Sequence, residues 1–221
     1  MNIIVSLFGN NGADYCFRPD TTLEKESFDY YIPDGISELT YSPVLFVRLC
    51  RAGKAIGEKF AGRYYDSGGF GVLLYGESII GSGAAAGLSM ASSLDKTSLL
   101  PFPLIDKDVL ENSRNSFSLS VNERSVNEHS VNEHSVNERS ANEHSVNERS
   151  ANERSLNGNG TFACHPDFAG IPEILHRISL RTSLRTGDIV AVELGERLPI
   201  HAGEKLCGML NGENIFSISV L

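Results

Sequence analysis

The residues whose types and spacing could do chemistry are few. Ile79-Ile80-Gly81-Ser82-Gly83-Ala84-Ala85-Ala86-Gly87 reads as a strand, a Gly-rich turn and a small-residue helix. Such a unit could cradle a pyrophosphate, because backbone N–H groups and the helix dipole converge on the anion. The spacing is GxGxxxG, however. The next apolar stretch, Leu100-Pro101-Phe102-Pro103, is also poor material for the second parallel strand of a dinucleotide fold. A close-packed turn and helix is favoured, with nucleotide binding at Gly81 to Gly87 kept as an alternative. Gly87-Leu88-Ser89-Met90-Ala91 loosely resembles a nucleophile elbow, but no His with an orienting third group lies near Ser89 in the sequence. Cys164-His165 with Asp167 could suggest a thiolate–imidazole pair, although adjacent side chains usually point apart. His176 and His201 read as surface or satisfied polar groups. Asp188 and Glu204 each follow a Gly or lie just beyond one and precede a strand, where a short acid accepts backbone N–H bonds in a turn.

The 221 residues suffice for one sizeable domain, with a net charge of −9, 41% hydrophobic and 21% charged residues. That acidity argues against a general nucleic-acid or anionic-membrane partner, which needs clustered Lys and Arg. Cys16, Cys50, Cys164 and Cys207 fit no zinc spacing. The start, MNIIVSLFGNNG, lacks the pattern of a secretory signal, and no apolar run approaches ~20 residues. The expectation is a cytoplasmic chain with reduced thiols.

Residues 120–154 are seven five-residue units of Ser, Val or Ala, Asn, Glu, and Arg or His. They take 7 of the 28 acids, leaving 186 residues at a net −6. A period of five matches neither strand nor helix, so in a helix the Val positions spiral over all faces. A pentapeptide β-solenoid needs a large apolar residue at each unit's centre, where this repeat has Asn or Glu. Its small apolar groups cannot offset the entropy of ordering, so disorder is expected. His129, His134 and His144 invite a metal reading, but in a flexible chain they would be weak ligands.

Around the repeat, strands are predicted over Asn2–Phe8, Cys16–Arg18, Phe28–Pro33, Tyr41–Cys50 and Phe70–Tyr75. A helix is predicted over Gly57–Asp66, with Ile56, Phe60 and Tyr64 on one face and Gly68-Gly69 ending it. Another lies within Gly83–Leu94 and a third around Ile171–Ile178. Ile189–Leu194, Leu206–Leu210 and Asn214–Leu221 read as short antiparallel strands, the last two joined at Asn211-Gly212. The class is α+β, dominated by β.

The order of these segments resembles the fumarylacetoacetate hydrolase family. Cys16-Phe17-Arg18-Pro19-Asp20 is similar to its Phe-X-Lys-Pro strand end. Ile32-Pro33-Asp34, Tyr41 to Cys50 and Arg51 to Ile56 follow its next strands. Phe60 to Asp66 looks like the helix before its metal-bearing strand, and Gly71 to Tyr75 like that strand. Leu184 to Asp188 matches the late Leu-X-X-Gly-Asp turn, and Ile200 to Leu221 the closing hairpin. The resemblance implies a mixed β-sandwich roll that dimerises. Residues 1–119 and 156–221 would form this single domain, and 120–155 would be an inserted low-complexity segment.

The family holds Mg or Mn on three carboxylates to cleave, decarboxylate or isomerise a 2-oxo or β-diketo acid. The resemblance carries those positions onto Ser42, Val44 and Leu73. The Arg-Asp that normally follows stands as Glu77-Ser78, the family Lys falls near Ser92 or Ser93, and its Thr-Gly-Thr-Pro loop is Glu193-Leu194-Gly195-Glu196. The N-terminal His-X-X-Glu segment is missing. Val and Leu cannot ligate a hard cation, so no metal and no catalytic residue in the family positions is expected. Two functions remain open. The first is a catalytically degenerate scaffold with a binding or structural role, as a homodimer or with a small oxo-acid ligand. The second is an active hydrolase, isomerase or decarboxylase with a site relocated to Glu77, Asp188 or Glu193.

Overall fold

The computed structural model describes residues 1–9, 12–83, 86–123, 155–157, 161–166 and 168–221. The chain opens with β1 (Ile3–Ser6), β2 (Tyr15–Arg18), β3 (Leu23–Glu24) and β4 (Phe28–Tyr30). The long β5 (Leu39–Leu49) and β6 (Tyr65–Gly76) flank α1 (Glu58–Ala61). Then come α2 (Glu77–Gly81), α3 (Gly87–Ala91), β7 (Ser98–Leu99), β8 (Ile105–Asp106), α4 (Lys107–Asn112) and β9 (Phe117–Glu123). β10 (Ser155–Asn157) and β11 (Thr161–Cys164) precede α5 (Ile171–Arg181). The chain closes with β12 (Ile189–Glu193), β13 (Leu198–Ile200), β14 (Glu204–Leu210) and β15 (Glu213–Val220).

These strands form two sheets. The first runs β2-β1-β12-β5-β6-β7-β3, with β13 also on β5 and β8 on β6; the second runs β10-β11-β9-β14-β15-β4. Strands from opposite ends of the chain are neighbours: β1 lies parallel to β12, pairing Ile3 with Ile189. Alternation along β5 and β6 divides their side chains between two layers. Leu45, Val47, Phe70, Val72 and Leu74 point to the layer between the sheets, with Phe117, Leu119, Leu206, Phe216 and Ile218 from the second sheet. The Phe70 and Phe117 rings stack there at 5.0 Å, and α5 adds Ile171, Ile174, Leu175 and Ile178. Val44, Phe46, Leu73 and Tyr75 point the other way, into a smaller cluster with Ile3, Val5, Leu100, Ile189 and Ala191. Ile80 of α2 and Leu88 of α3 pack against that cluster. The result is the β-rich α+β roll that the sequence predicts.

Several expectations change. The helix predicted over 57–66 is only the single turn of α1, and Tyr65 already belongs to β6. Gly57 and Gly62 flank that turn, and Phe60 is 44% exposed while Ile56 is buried, so the three residues form no common face. Gly68 and Gly69 do not end an element; they lie inside β6, where β5 comes too close for side chains. A Cβ at Gly68 would stand 2.2 Å from the Phe46 carbonyl oxygen. Ile79 and Ile80 are helical, and Pro101 and Pro103 lie outside any strand. The strand–turn–helix needed for pyrophosphate is therefore not built, and short α3 offers no substitute. β12 is not one of a purely antiparallel C-terminal set, because it inserts between β1 and β5. The first repeat unit enters the sheet: β9 continues through Ser120–Glu123, pairing Val121 with Leu206. The remaining units, 124–154, lie outside the described residues, and with them their expected disorder and His129, His134 and His144.

Gly71 tests the packing of this face. A Cβ there would meet the Leu99 carbonyl oxygen at 2.3 Å, whereas one at Gly81 meets nothing within 4 Å. Gly71→Ala is expected to cost about 1–3 kcal/mol in denaturant unfolding, and Gly81→Ala to be near neutral.

Candidate functional site

The three positions that the resemblance assigns to metal ligands do converge. Ser42 and Leu73 are direct cross-strand partners, and Val44 lies two residues along β5 on the same face. All three are fully buried. Val44 and Leu73 sit in the smaller apolar cluster and have no donor atom; the Ser42 hydroxyl donates to the Gly195 carbonyl at 3.2 Å. A hard divalent cation needs several oxygen ligands and counter-charge, so this set does not fit one. Among the described residues no group of three or more His, Cys, Asp or Glu is placed to hold a metal ion.

A polar network occupies the same face. Glu193 pairs with Val44 across β12 and β5, and Tyr75 pairs with Thr40 across β6 and β5. The Tyr75 hydroxyl nevertheless donates to Glu193 Oε1 at 2.7 Å. The bond joins the two strands that flank β5, so it crosses β5 between Thr40 and Val44, over Ser42. Glu193 Oε2 accepts the Phe8 N–H at 2.9 Å, tying in the end of β1. Arg197 extends the network from the turn after β12. Its Nε lies 3.9 Å from Glu193 and its Nη1 3.5 Å from Glu77 Oε2, which also accepts the Thr40 hydroxyl at 3.0 Å.

Two guanidinium groups flank the Tyr75 ring, Arg18 at 4.2 Å and Arg197 at 4.3 Å from its centroid. Arg18 is 1% exposed and is held by the Thr97 and Leu74 carbonyls at 3.1 and 2.9 Å and by the hydroxyls of Thr97 and Ser98. It stands where the resemblance puts a Lys. Burial pushes the Tyr75 hydroxyl well above its ordinary range; Arg18 acts against this and Glu193 with it. Tyr75 is thus a neutral hydrogen-bond donor. Burial likewise raises the Cys16 thiol, against the opposing pull of its hydrogen bond to Ser92 and of Arg18, so Cys16 offers no ready thiolate.

The sequence candidates fall apart unevenly. Glu77 and Glu193 come together through Arg197. Asp188 lies at the other end of β12, where its carboxylate accepts the Asn2 and Arg185 N–H groups at 2.8 and 2.9 Å, the turn role expected of it. Glu204 does the same for His201 at 2.6 Å. Ser89 is exposed on α3, and His165 and His176 contact the Asn115 and Ile56 carbonyls at 3.0 and 2.6 Å. Tyr75, Arg18, Arg197 and Thr40 were not marked out by sequence reasoning. Glu193 at the end of β12 and Arg197 in the turn after it, four residues apart, were the available signal.

Comparison with known proteins supports the fold. No family model and no curated protein matches the chain. Solved structures do. The fumarylpyruvate hydrolase of Pseudomonas aeruginosa, in complex with Mn2+ and pyruvate, is similar at TM-score 0.71 and 12% identity, over 100% of this chain and 89% of that one. A fumarylacetoacetate hydrolase family protein of Yersinia pestis gives 0.66 and 16%, over 100% and 92%. The 5-carboxymethyl-2-hydroxymuconate delta-isomerase of Mycobacterium smegmatis gives 0.67 and 12%, over 100% and 78%. The fold is that of the fumarylacetoacetate hydrolase family, as the sequence resemblance implies.

Tyr75→Phe is expected to destabilise the chain by about 1–3 kcal/mol in denaturant unfolding, because it leaves a buried carboxylate oxygen short of a donor. A second expectation concerns alkali. Burial pushes Tyr30 and Tyr41 up to about 12, and burial with the Glu111 carboxylate pushes Tyr65 higher still. An unfolded phenol ionises near about 10, so the stability from these raised groups is full below that pH and is lost as pH climbs towards 12. Tyrosinate absorbance from these groups should rise together with loss of the β-sheet circular dichroism. Ionisation of all 7 tyrosines with the dichroism unchanged would contradict this.

Proposed function

We propose that this chain, which has the fold of the fumarylacetoacetate hydrolase family, no longer carries the family's metal chemistry and works as a binding or structural protein. One observation carries this reading. The face that would present three carboxylates presents Ser42, Val44 and Leu73, and the Tyr75–Glu193 bond crosses directly over it. Val44 and Leu73 offer no oxygen to a cation, so nothing at these positions would hold one to polarise the carbonyl of a 2-oxo acid. A homodimer, a small oxo-acid bound without turnover and a cytoplasmic location belong to the same proposal. The chain's acidity weighs against nucleic acid or an anionic membrane as partner, and no described helix is long and apolar enough to cross a bilayer.

A second reading has a specific observation behind it. Glu77 and Glu193, both candidates for a relocated site, share Arg197, so a hydrolase, isomerase or decarboxylase acting on a small 2-oxo or β-diketo acid could draw on that trio. Against it, Glu193 already accepts two hydrogen bonds and Glu77 one, which leaves neither carboxylate poised as a general base.

Isothermal titration of the purified chain with Mn2+ and with Mg2+ separates the readings from the outset. The proposal expects no single site of micromolar affinity and no turnover across a panel of acylpyruvates and other 2-oxo acids. A stoichiometric micromolar site, or turnover abolished by EDTA, would overturn it.

A further inference from the structure

Glu77, at the start of α2, and Glu193, at the end of β12, reach one place, and two acids drawn together need a counter-charge. A divalent ion, such as the Mn2+ in the Pseudomonas aeruginosa complex, is one kind of counter-charge. Here Arg197 stands between them, with Nη1 3.5 Å from Glu77 and Nε 3.9 Å from Glu193, and its guanidinium lies against the Tyr75 ring. The side chain is 22% exposed, while Glu193 is 3% exposed, so the cation seals the buried acid from the solvent side. With Arg18 behind the same ring, two cations face two carboxylates. The cluster closes at neutrality, and an added divalent ion would leave it at +2.

We infer that Arg197 is this chain's resident substitute for a metal cation: a positioning residue that draws Glu77 and Glu193 together over β5. The inference rests on the reading that the metal chemistry is gone, and it explains what holds the face together in its place. A guanidinium suits this role because it stays charged and can serve two acids and an aromatic ring at once. Losing it would leave a buried carboxylate with its charge uncompensated.

The experiment is thermal melting of the full chain carrying Arg197→Met or Arg197→Lys, with and without millimolar Mn2+. Arg197→Met should lower Tm by roughly 5 °C, with Arg197→Lys retaining most of the wild-type value. Mn2+ should raise the Tm of Arg197→Met and leave the wild type unchanged, since only the variant leaves the two acids and the Thr40 hydroxyl without the cation that stands between them. A greasy packing role for Arg197 would not produce that response. Wild-type melting by Arg197→Met, an equal fall in Arg197→Lys, or indifference of Arg197→Met to Mn2+ would each overturn the inference. If Arg197→Met yields no folded chain, the triple variant with Glu77→Gln and Glu193→Gln decides. Its folding supports the inference, because the acids that needed the cation are gone, and its failure to fold overturns it. Mn2+ binding by the wild-type chain would instead defeat the functional reading, so the two failures are distinguishable.

Discussion

Glu193 is a carboxylate taken almost wholly out of water at the end of β12, and much of this end of the molecule is arranged around keeping it there. A buried charge is tolerated only when it is paired and hydrogen-bonded. Its partners come from four places: Tyr75 from β6, the Phe8 N–H past the end of β1, Arg197 from the turn after β12, and through Arg197 the Glu77–Thr40 pair. Each partner pins an element of the first sheet. The network therefore sets how β1, β12, β5 and β6 meet beside Ser42 and Val44.

The apolar layers of the scaffold stand apart from this network. The large interior layer depends on stacked phenylalanines and alternating aliphatics, none of which touches the face of Ser42, Val44 and Leu73. The smaller layer on that face is apolar around Val44 and Leu73, with close approaches at Gly69 and Gly71. The similarity to solved structures at 12–16% identity shows how little of such a fold resides in particular side chains.

Much of the architecture was legible because it is written in local patterns. The long β5 and the core of β6 follow from runs of β-branched and aromatic residues. α5 follows from its helical spacing, and the closing hairpin from Asn211-Gly212, with Asn211 at φ 53° and Gly212 at φ 86°. The differences share a cause: glycine reads locally as punctuation, whatever the packing around it. Gly68 and Gly69 look like a stop signal, yet they continue a strand because the Phe46 backbone and ring leave no room for a side chain. Ile79 and Ile80 look like a strand by composition, but they follow the helix that starts at Glu77.

From the sequence alone come the fold class, the turn roles of Asp188 and Glu204, and the fact that Val44 and Leu73 bear no ligand oxygen. Residue identity decides whether an oxygen is present, and no folding can restore one. What lies across that face was set by the tertiary structure. Tyr75 and Glu193 are 118 residues apart, and their bond exists because β12 and β6 both lie against β5. Nothing local distinguishes Tyr75 from any other strand aromatic, or Arg197 from any other loop cation. Their roles come from long-range strand order, which brings one buried acid within reach of both.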